Sequence, residues 1–329
     1  MPPEITPSEH VVSEEAHRLR LDRFLAGVRP DLGRHRIDRL LRTGAVRVNG
    51  RPRDARCFLK RGERVEVRSA QVQAAVAAPM AAAGENAPRV LVRTPQVAVV
   101  AKPPGWTTNP VGDAGPDLLA WLVEEVVRTA SPGGERSRRR APRPGVLHRL
   151  DREASGLVLF SLAPEAHRSV VRAFRERRLE KIYLALVAGR VERGEFSIDL
   201  SLARDPSGRM RPSRDGLEAL TECRVLRAGR GASLLEVRLV TGRTHQIRAH
   251  LAAIDHPVLG DPLYGAPSRV ADVPRLWLHA LRLALPPKLA ATLRVTREIE
   301  CPLWADLAAH LARLGLELPV ADPRADAEG

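Results

Sequence analysis

The spacing of apolar residues predicts two short helices and a hairpin near the start of the chain. Apolar side chains recur at intervals of three and four between residues 21 and 28, which is the stripe of an amphipathic helix. Ile37, Leu40 and Leu41 indicate a second helix, and Gly44 is a typical end for it. The alternating segment 45–50 then runs into Asn-Gly, the strongest short signal for a hairpin turn.

The pattern changes after an alanine-rich stretch at residues 70–89, whose small residues and two prolines predict a linker. Beyond it, the apolar runs predict strands at 90–92, 97–101, 157–160, 182–187 and 233–240, and helices at 118–127 and 164–178. Glycine, proline and arginine interrupt residues 129–143, which predicts a basic loop. Helices do not alternate regularly with strands, which argues against a doubly wound parallel sheet.

The charge of the chain points to a polyanionic partner. The formal net charge is +14 and the isoelectric point is near 11.0, and an excess of this size informs about partners rather than fold. Residues 18–68 alone carry a net charge of +10. Four arginines on or beside the second predicted helix are placed to face phosphates: Arg34, Arg36, Arg39 and Arg42. The alternative is a solvated face in a chain whose arginine content is high throughout.

Composition also excludes several classes of protein. The three cysteines lie far apart, which disfavours a zinc knuckle or a disulfide scaffold and suits a reducing cytosol. The first 20 residues are acidic and lack an apolar core, so we expect no signal or transit peptide. No apolar run is long enough for a membrane span. We therefore expect a cytoplasmic protein without membrane association.

One carboxylate stands out within the run 145–157. Asp151 lies between Arg149 and Arg152, immediately before a Ser-Gly pair and an apolar strand. Neighbouring guanidinium groups favour the ionised form of a carboxyl group at neutral pH. Such a group can act as a nucleophile, a base or a structural ion-pair partner.

A second chemically rich run, 239–251, follows a predicted strand. Thr-Gly makes a turn, and a helix is expected to begin near Thr244, where free N–H groups would favour an anion. His245 and Arg248 are spaced so that one side of this helix packs while the other points outward. A metal site formed by His245 and His250 is disfavoured, because a spacing of five residues puts them on different faces.

Two further segments carry polar groups on predicted strands or loops. Tyr183 lies in the alternating strand 181–189, where the ordinary role of a single tyrosine is to pack in the core with its hydroxyl bonded. The run Lys102-Pro103-Pro104-Gly105 is a rigid loop after a strand. We find no P-loop and no dinucleotide-binding glycine motif, so no nucleotide cofactor is expected.

These motifs together resemble those of the RluA-type pseudouridine synthases. Residues 148–157 resemble the signature His-Arg-Leu-Asp-x-x-Thr-Ser-Gly-Leu, with Ala154 in place of the threonine. Further family motifs are similar to residues 102–105, 181–189, 243–250 and 256–265. The chain departs again at Asn109-Pro110, where the family has His-Pro. The resemblance covers residues 18–310.

The resemblance implies roles for particular residues. Asp151 maps onto the catalytic aspartate, Arg243 onto the arginine that pairs with it, and Tyr183 onto the tyrosine that lies against the target base. Five further residues of the motifs at 148–157 and 243–250 are expected to bind RNA: His148, Arg149, Arg152, His245 and Arg248. The first three are expected to contact phosphate or to support the loop. Isomerisation of uridine needs no cofactor, and none is expected.

The resemblance also implies a fold and a domain plan. We expect an α+β fold with a mixed, mostly antiparallel central sheet and flanking helices, preceded by a small S4-like helical-hairpin module. The stretch Gly44–Gly50 matches the end of the S4 pattern. The expected boundaries are a disordered N-terminus at 1–17, the S4-like RNA-binding domain at 18–69, the linker at 70–89, the catalytic domain at 90–315 and a tail at 316–329.

The expected function is therefore isomerisation of uridine in structured RNA through base flipping. Large-subunit (23S-type) ribosomal RNA or a ribosomal precursor is the first expectation for the target, and tRNA is the second. A non-catalytic RNA-binding or ribosome-assembly protein that retains the fold remains an alternative. A glycosidase is disfavoured, because that chemistry usually requires two paired carboxylates.

Overall fold

The computed structural model describes residues 7–29, 37, 40–41, 45–55, 57–67, 86–109, 115–130, 143–229, 231–265, 270, 272–316 and 318. The chain divides into two compact units, Met1–Ala82 and Ala83–Gly329. Within the described ranges, no helix is both long and apolar enough to cross a membrane.

The first unit packs helix α1 (Leu21–Val28) against a four-stranded sheet. Its strands are β1 (Ser8–Val11), β2 (Val46–Val48), β3 (Arg51–Pro52) and β4 (Arg64–Val67), in the order β1-β4-β2-β3. Asn49 and Gly50 both have positive φ, which confirms the predicted Asn-Gly hairpin turn. Ile37, Leu40 and Leu41 are helical and buried, as the second predicted helix requires. The four basic residues assigned to that helix, Arg34, Arg36, Arg39 and Arg42, lie outside the described residues.

The expectation of a disordered segment at residues 1–17 is wrong for part of that range. Strand β1 pairs antiparallel with β4, with His10 opposite Val65. Its sequence, Ser-Glu-His-Val, has little apolar character, so the pattern of apolar residues gives no sign of a strand. Backbone hydrogen bonds to a neighbouring strand order this segment instead. Most of the expected linker (70–89) and tail (316–329) lies outside the described residues.

The second unit contains the central sheet and the remaining described helices. Its strands are β5 (Arg89–Arg93), β6 (Val97–Lys102), β7 (Gly145–Val146), β8 (Ser155–Ser161), β9 (Glu180–Ala188), β10 (Glu195–Asp199), β11 (Leu202–Arg204), β12 (Met210–Pro212), β13 (Leu220–Ala228), β14 (Ala232–Leu239), β15 (Leu278–Ala284) and β16 (Glu298–Glu300). Its helices are α2 (Leu118–Ala130), α3 (Pro164–Arg175), α4 (Gln246–Ala253), α5 (Pro287–Leu293) and α6 (Ala305–Arg313). The predicted strands and the helices α2 and α3 are confirmed.

The central sheet has ten described strands and is mostly antiparallel, as expected. Eight of them follow the order β10-β13-β14-β9-β15-β8-β6-β5, with β16 added to β15 and β7 to β8. The two continuous apolar strands, β6 and β8, are buried along their whole length, as strands covered on both faces must be. The pairing of β8 with β15 is parallel and brings Ser155 beside His279 and Gly156 beside Ala280.

Strands β8 and β15 separate beyond Gly156, and this split shapes the centre of the unit. Gly156 has a φ of +115°, and a side chain there would place its Cβ 2.2 Å from the carbonyl oxygen of Ala280. Farther along β8, the N–H of Leu159 donates to Nε2 of His148 at 3.0 Å. The imidazole therefore satisfies the backbone where the strands part. The glycine of the Ser-Gly pair after Asp151 is thus required by close backbone approach.

We predict that Gly156→Ala strongly destabilises the second unit. The added methyl group would collide with backbone atoms that cannot move without breaking the β8–β15 pair, and positive φ adds strain. The expected loss in free energy of unfolding is on the order of 3 kcal/mol, measured by urea denaturation. Gly194→Ala is the matched control, since a methyl group at that position would have no heavy atom within 4 Å. Equal stability of the two variants would contradict this account.

Candidate active site

Asp151 forms a short ion pair with an arginine that lies far along the chain, on helix α4. Asp151 sits on the loop between β7 and β8, and its Oδ2 accepts from Nη1 of Arg248 at 2.9 Å. The Asp151 side chain is 17% exposed and that of Arg248 is 6% exposed. A buried cation therefore binds one oxygen of the carboxylate, and the Asp151 side chain remains partly accessible to a ligand.

The expected pairing of Asp151 with Arg243 is wrong. Nε of Arg243 donates to the carbonyl oxygen of Glu218 at 2.8 Å instead. Helix α4 begins at Gln246, so Arg243 lies in the turn before the helix and Arg248 lies within it. The Gln246 side chain accepts the N–H of Arg243 at 3.0 Å, which keeps Arg243 in the turn before the helix. Arg248 is buried, as are all residues from Gln246 to Leu251, so the expected outward-pointing side of this helix is wrong for that stretch.

A second carboxylate, Asp261, fixes the orientation of Arg248. Its two oxygens accept from Nε and Nη2 of Arg248, each at 2.7 Å. The fully buried Asp261 side chain also accepts the N–H groups of Leu263 at 2.8 Å and Tyr264 at 3.0 Å. This bidentate pair leaves Nη1 of the guanidinium free to reach Asp151, so the planar fork serves two carboxylates at once. In the sequence, Asp261 belongs to the motif at 256–265 without an expected role, so this contact is not predicted.

Electrostatic interactions keep both Asp261 and Arg248 in their charged forms. Burial acts to raise the pKa of Asp261, but the hydrogen bond and charge of Arg248 and the two backbone amides outweigh it and hold that pKa below its usual range. Burial likewise opposes the charge of Arg248, yet Asp261 and Asp151 raise the pKa of its guanidinium above the ordinary value. Asp261 and Arg248 are therefore both ionised across the physiological pH range.

His245 lies beside the same carboxylate and is oriented by a tyrosine. It adopts a left-handed backbone conformation with φ of 51°, and its Nε2 lies 3.9 Å from Oδ1 of Asp151. Nδ1 of His245 lies 3.1 Å from the hydroxyl of Tyr264, which accepts the N–H of Met210 at 2.9 Å. Burial lowers the pKa of His245, although the charge of Asp151 opposes this shift. Tyr264 is a second contact that sequence reasoning does not find.

Tyr183 is buried in the middle of the sheet on β9. Its strand neighbours are Val237 on β14 and Ala280 on β15. Burial raises the pKa of the Tyr183 hydroxyl, and the charge of Asp151 raises it further. The phenol therefore keeps its proton at neutral pH.

The Lys-Pro-Pro-Gly loop clamps the segment that carries Asp151. The buried ammonium of Lys102 donates to three carbonyl oxygens, those of Pro103 at 2.9 Å, Trp106 at 2.8 Å and Arg152 at 3.0 Å. Burial lowers the pKa of Lys102 to about 7. The N–H of Gly105 also donates to the carbonyl of Arg152 at 2.9 Å. The loop after β6 is thus tied by several bonds to the residue that follows Asp151.

A buried threonine completes the clamp on the other side of Asp151. The hydroxyl of Thr108 accepts the N–H of Leu150 at 3.1 Å and lies 3.3 Å from the Leu150 carbonyl oxygen. At Ala154, where the related family has threonine, the N–H donates to the carbonyl of Asp151 at 3.2 Å. The turn is therefore closed by backbone alone, and the alanine is compatible with it.

Two of the expected RNA contacts in the first motif have internal partners. His148 accepts from the backbone of Leu159, and burial lowers its pKa to about 3. It is therefore a neutral structural group, which favours the expected support of the loop over a contact with RNA. Arg152 donates to the carbonyl of Gly105 at 3.2 Å and lies 3.7 Å from Glu153. The side chain of Arg149 is exposed and remains available to a ligand.

The second histidine of the α4 motif is also structural. Buried His250 lies 2.9 Å from the hydroxyl of Thr221 and 2.9 Å from the carbonyl of Leu200. It thereby ties α4 to the sheet. Within the described part of the chain, no cluster of histidine, cysteine and acidic residues is arranged to hold a metal ion.

Comparisons with known proteins relate this site to one enzyme family. Residues 96–253 match the family model described as RNA pseudouridylate synthase. An RNA pseudouridine synthase of Aquifex aeolicus (strain VF5) is 39% identical over 268 residues, which cover 79% of this chain and 81% of the relative. The ribosomal large subunit pseudouridine synthase D of Xanthomonas campestris pv. campestris is 34% identical over 263 residues, 78% of this chain and 74% of the relative.

A solved structure is similar in fold. The protein described as human RNA Pseudouridylate Synthase Domain Containing 1 aligns with a TM-score of 0.52 and 27% sequence identity. The alignment covers 70% of this chain and 90% of that chain.

The Asp261 carboxylate gives a pH-dependent prediction for stability. Because its folded pKa lies below the unfolded value, its contribution is present above the unfolded pKa and is lost as pH falls through the folded pKa. We expect Asp261→Asn to lose about 3 kcal/mol at pH 7, because a buried charge loses its partner. The difference from wild type should stay constant down to about pH 5 and shrink below about pH 4.

Urea denaturation across this pH range measures the effect. The control is Asp255→Asn, an exposed aspartate with φ of +63°, a conformation that asparagine also tolerates. It should unfold like wild type at every pH. A loss below about 1 kcal/mol for Asp261→Asn, or a loss independent of pH, would show that this pair does not stabilise the site.

Proposed function

This chain belongs to the RluA-type RNA pseudouridine synthase family and is an isomerase acting on RNA, and from this we propose that it modifies large-subunit ribosomal RNA with Asp151 as its catalytic residue. The observation that carries the proposal is the accessible Asp151 carboxylate set on a buried guanidinium. The reaction breaks the N1–C1′ bond of uridine and joins C5 to C1′. No atom or electron is gained overall, so side chains alone can supply the chemistry.

Asp151 acts on the ribose carbon or its neighbours once the target uridine is flipped out of the RNA. Its carboxylate either attacks the nucleoside or removes a ribose proton, and both routes need an ionised, aimed oxygen. Arg248 aims the carboxylate through the 2.9 Å hydrogen bond to Oδ2. The other oxygen, Oδ1, lies 3.9 Å from Nε2 of His245 and makes no hydrogen bond to Arg248. Base flipping costs a few kcal/mol of unstacking, which the contacts of the extruded nucleotide offset.

Tyr183 supplies an aromatic face for the uracil and assists loss of its C5 proton. Because its phenol stays protonated next to Asp151, it is a weak base by itself. Tyr183 therefore removes the C5 proton only if another group accepts the phenol proton at the same time. The carboxylate of Asp151, whose charge raises the pKa of Tyr183, suits this role. Lys102 and Thr108 hold the Asp151 segment rigid on both sides, and such fixed geometry lowers the cost of reaching the transition state.

The target assignment rests on relatives and on charge. The relative from Xanthomonas is named a large-subunit ribosomal enzyme, and the region 18–68 carries a net charge of +10. We propose that the first unit is an S4-like RNA-binding domain, with the described strand β1 as an addition to the expected 18–69 range. Catalysis then resides in the second unit, at about residues 90–315, within the cytoplasm. tRNA is the alternative substrate, and a non-catalytic RNA-binding protein is the alternative function.

Replacement of Asp151 by asparagine tests the chemistry. Pseudouridine formation releases the C5 hydrogen, so RNA tritiated at uridine C5 reports turnover. We expect wild type to release tritium from a large-subunit rRNA transcript and not from tRNA. Asp151→Asn should bind the same RNA but lose at least about 1,000-fold in rate. Release from tRNA alone would show that tRNA, and not rRNA, is the substrate. Release by the asparagine variant near the wild-type rate would exclude Asp151 as the catalytic residue.

The two arginines of the α4 motif are distinguished by matched substitutions. Arg248→Lys keeps the charge but cannot bridge two carboxylates, so we expect kcat to fall about 100-fold. Arg243→Lys loses only a bond to a backbone carbonyl and should keep kcat within about threefold of wild type. Kinetics of tritium release measure both. The opposite ranking would restore Arg243 as the partner of Asp151.

A further inference from the structure

Lys181 has an unusual environment that the reaction described above does not use. Only four of the 53 basic residues in this chain are lysines, and two of these, Lys102 and Lys181, are enclosed in the second unit. Lys102 donates to three carbonyls. Lys181, in contrast, has no carboxylate within ion-pair distance among the described residues, and burial lowers its pKa to about 8.

Two neighbours show where the ammonium of Lys181 lies. Its Nζ is 5.5 Å from the centre of the Phe174 ring, a cation–π distance. A side chain at Gly242 would place a Cβ 3.4 Å from the same Nζ. The amine therefore lies between an aromatic face of α3 and the exposed turn that leads into α4. This turn carries Arg243, so a second cation lies on the same stretch of chain.

The position relative to Tyr183 connects Lys181 to the substrate. The two residues are separated by one position on β9, so their side chains point to the same side of the sheet. Their Cα atoms are about 7 Å apart. His148, Lys181 and Tyr183 also line one cavity of about 10 Å³. A base lying against Tyr183 would therefore share this face of the sheet with Lys181.

We propose that Lys181 binds a backbone phosphate of the RNA next to the flipped uridine. The inference rests on the proposed function in that the RNA must enter the site at Asp151. An ammonium that is partly removed from water without a counter-charge is costly, and a phosphate oxygen supplies that charge. A compact lysine suits this space, since it binds phosphate as a point charge. Gly242 has no side chain, whose Cβ would otherwise lie 3.4 Å from the amine.

The salt dependence of RNA binding tests this contact. Each lost phosphate contact lowers the slope of log affinity against log salt by about 0.7–0.9. We expect Lys181→Met and Lys181→Gln to reduce the slope by that amount and to raise the dissociation constant about tenfold near 150 mM salt. Lys288→Met removes an exposed lysine of α5 and should leave both unchanged.

Kinetics separate this role from chemistry and from structure. Both Lys181 variants should raise KM for tritium release while kcat at saturating RNA stays within about threefold. Their thermal midpoints should match wild type, because Met also packs well on an aromatic ring. An unchanged salt slope, or a lower kcat with unchanged binding, would overturn the proposal. Binding is measured without turnover, so an inactive wild type that binds RNA would contradict the proposed function and leave the result for Lys181 readable.

Discussion

The geometry of this protein depends on one guanidinium group shared by two carboxylates. Arg248 gives two of its N–H groups to buried Asp261 at 2.7 Å and one to Asp151 at 2.9 Å. Placing these three charges in a poorly solvated site is favourable only while every hydrogen bond is made. The bidentate bond to Asp261 fixes the plane of the guanidinium, and the plane fixes the direction from which Asp151 can be approached.

The remainder of the second unit serves to bring these three residues together. Helix α4 supplies Arg248, a turn after it supplies Asp261, and the β7–β8 loop supplies Asp151. The loop is held by Lys102 and Thr108 through its backbone. Its exit into β8 depends on a glycine that lies directly against β15. These contacts are made to backbone groups of the loop. They fix the position of Asp151 while its carboxylate stays partly exposed.

Much of the fold follows from local patterns, whereas the pairing within the site does not. Apolar runs are sufficient to place β6, β8 and β9, because a strand buried on both faces has a distinctive composition. The same reasoning misses β1, whose polar residues are ordered by pairing alone. The resemblance also maps the partner of Asp151 onto Arg243, whereas the structure gives this role to Arg248, five residues further along the same motif. A motif with two arginines does not show which of them reaches a carboxylate on a distant loop.

Asp261 shows a second limit, since no local pattern signals that it is linked through Arg248 to a carboxylate as distant in sequence as Asp151. The measurement that tests the shared guanidinium most directly is the single-turnover rate of Asp261→Asn on bound RNA. If Asp261 holds Arg248 in place for Asp151, the rate should fall about 100-fold while the RNA dissociation constant stays within about threefold. A rate equal to that of wild type, in a variant that binds RNA normally, would contradict the central claim.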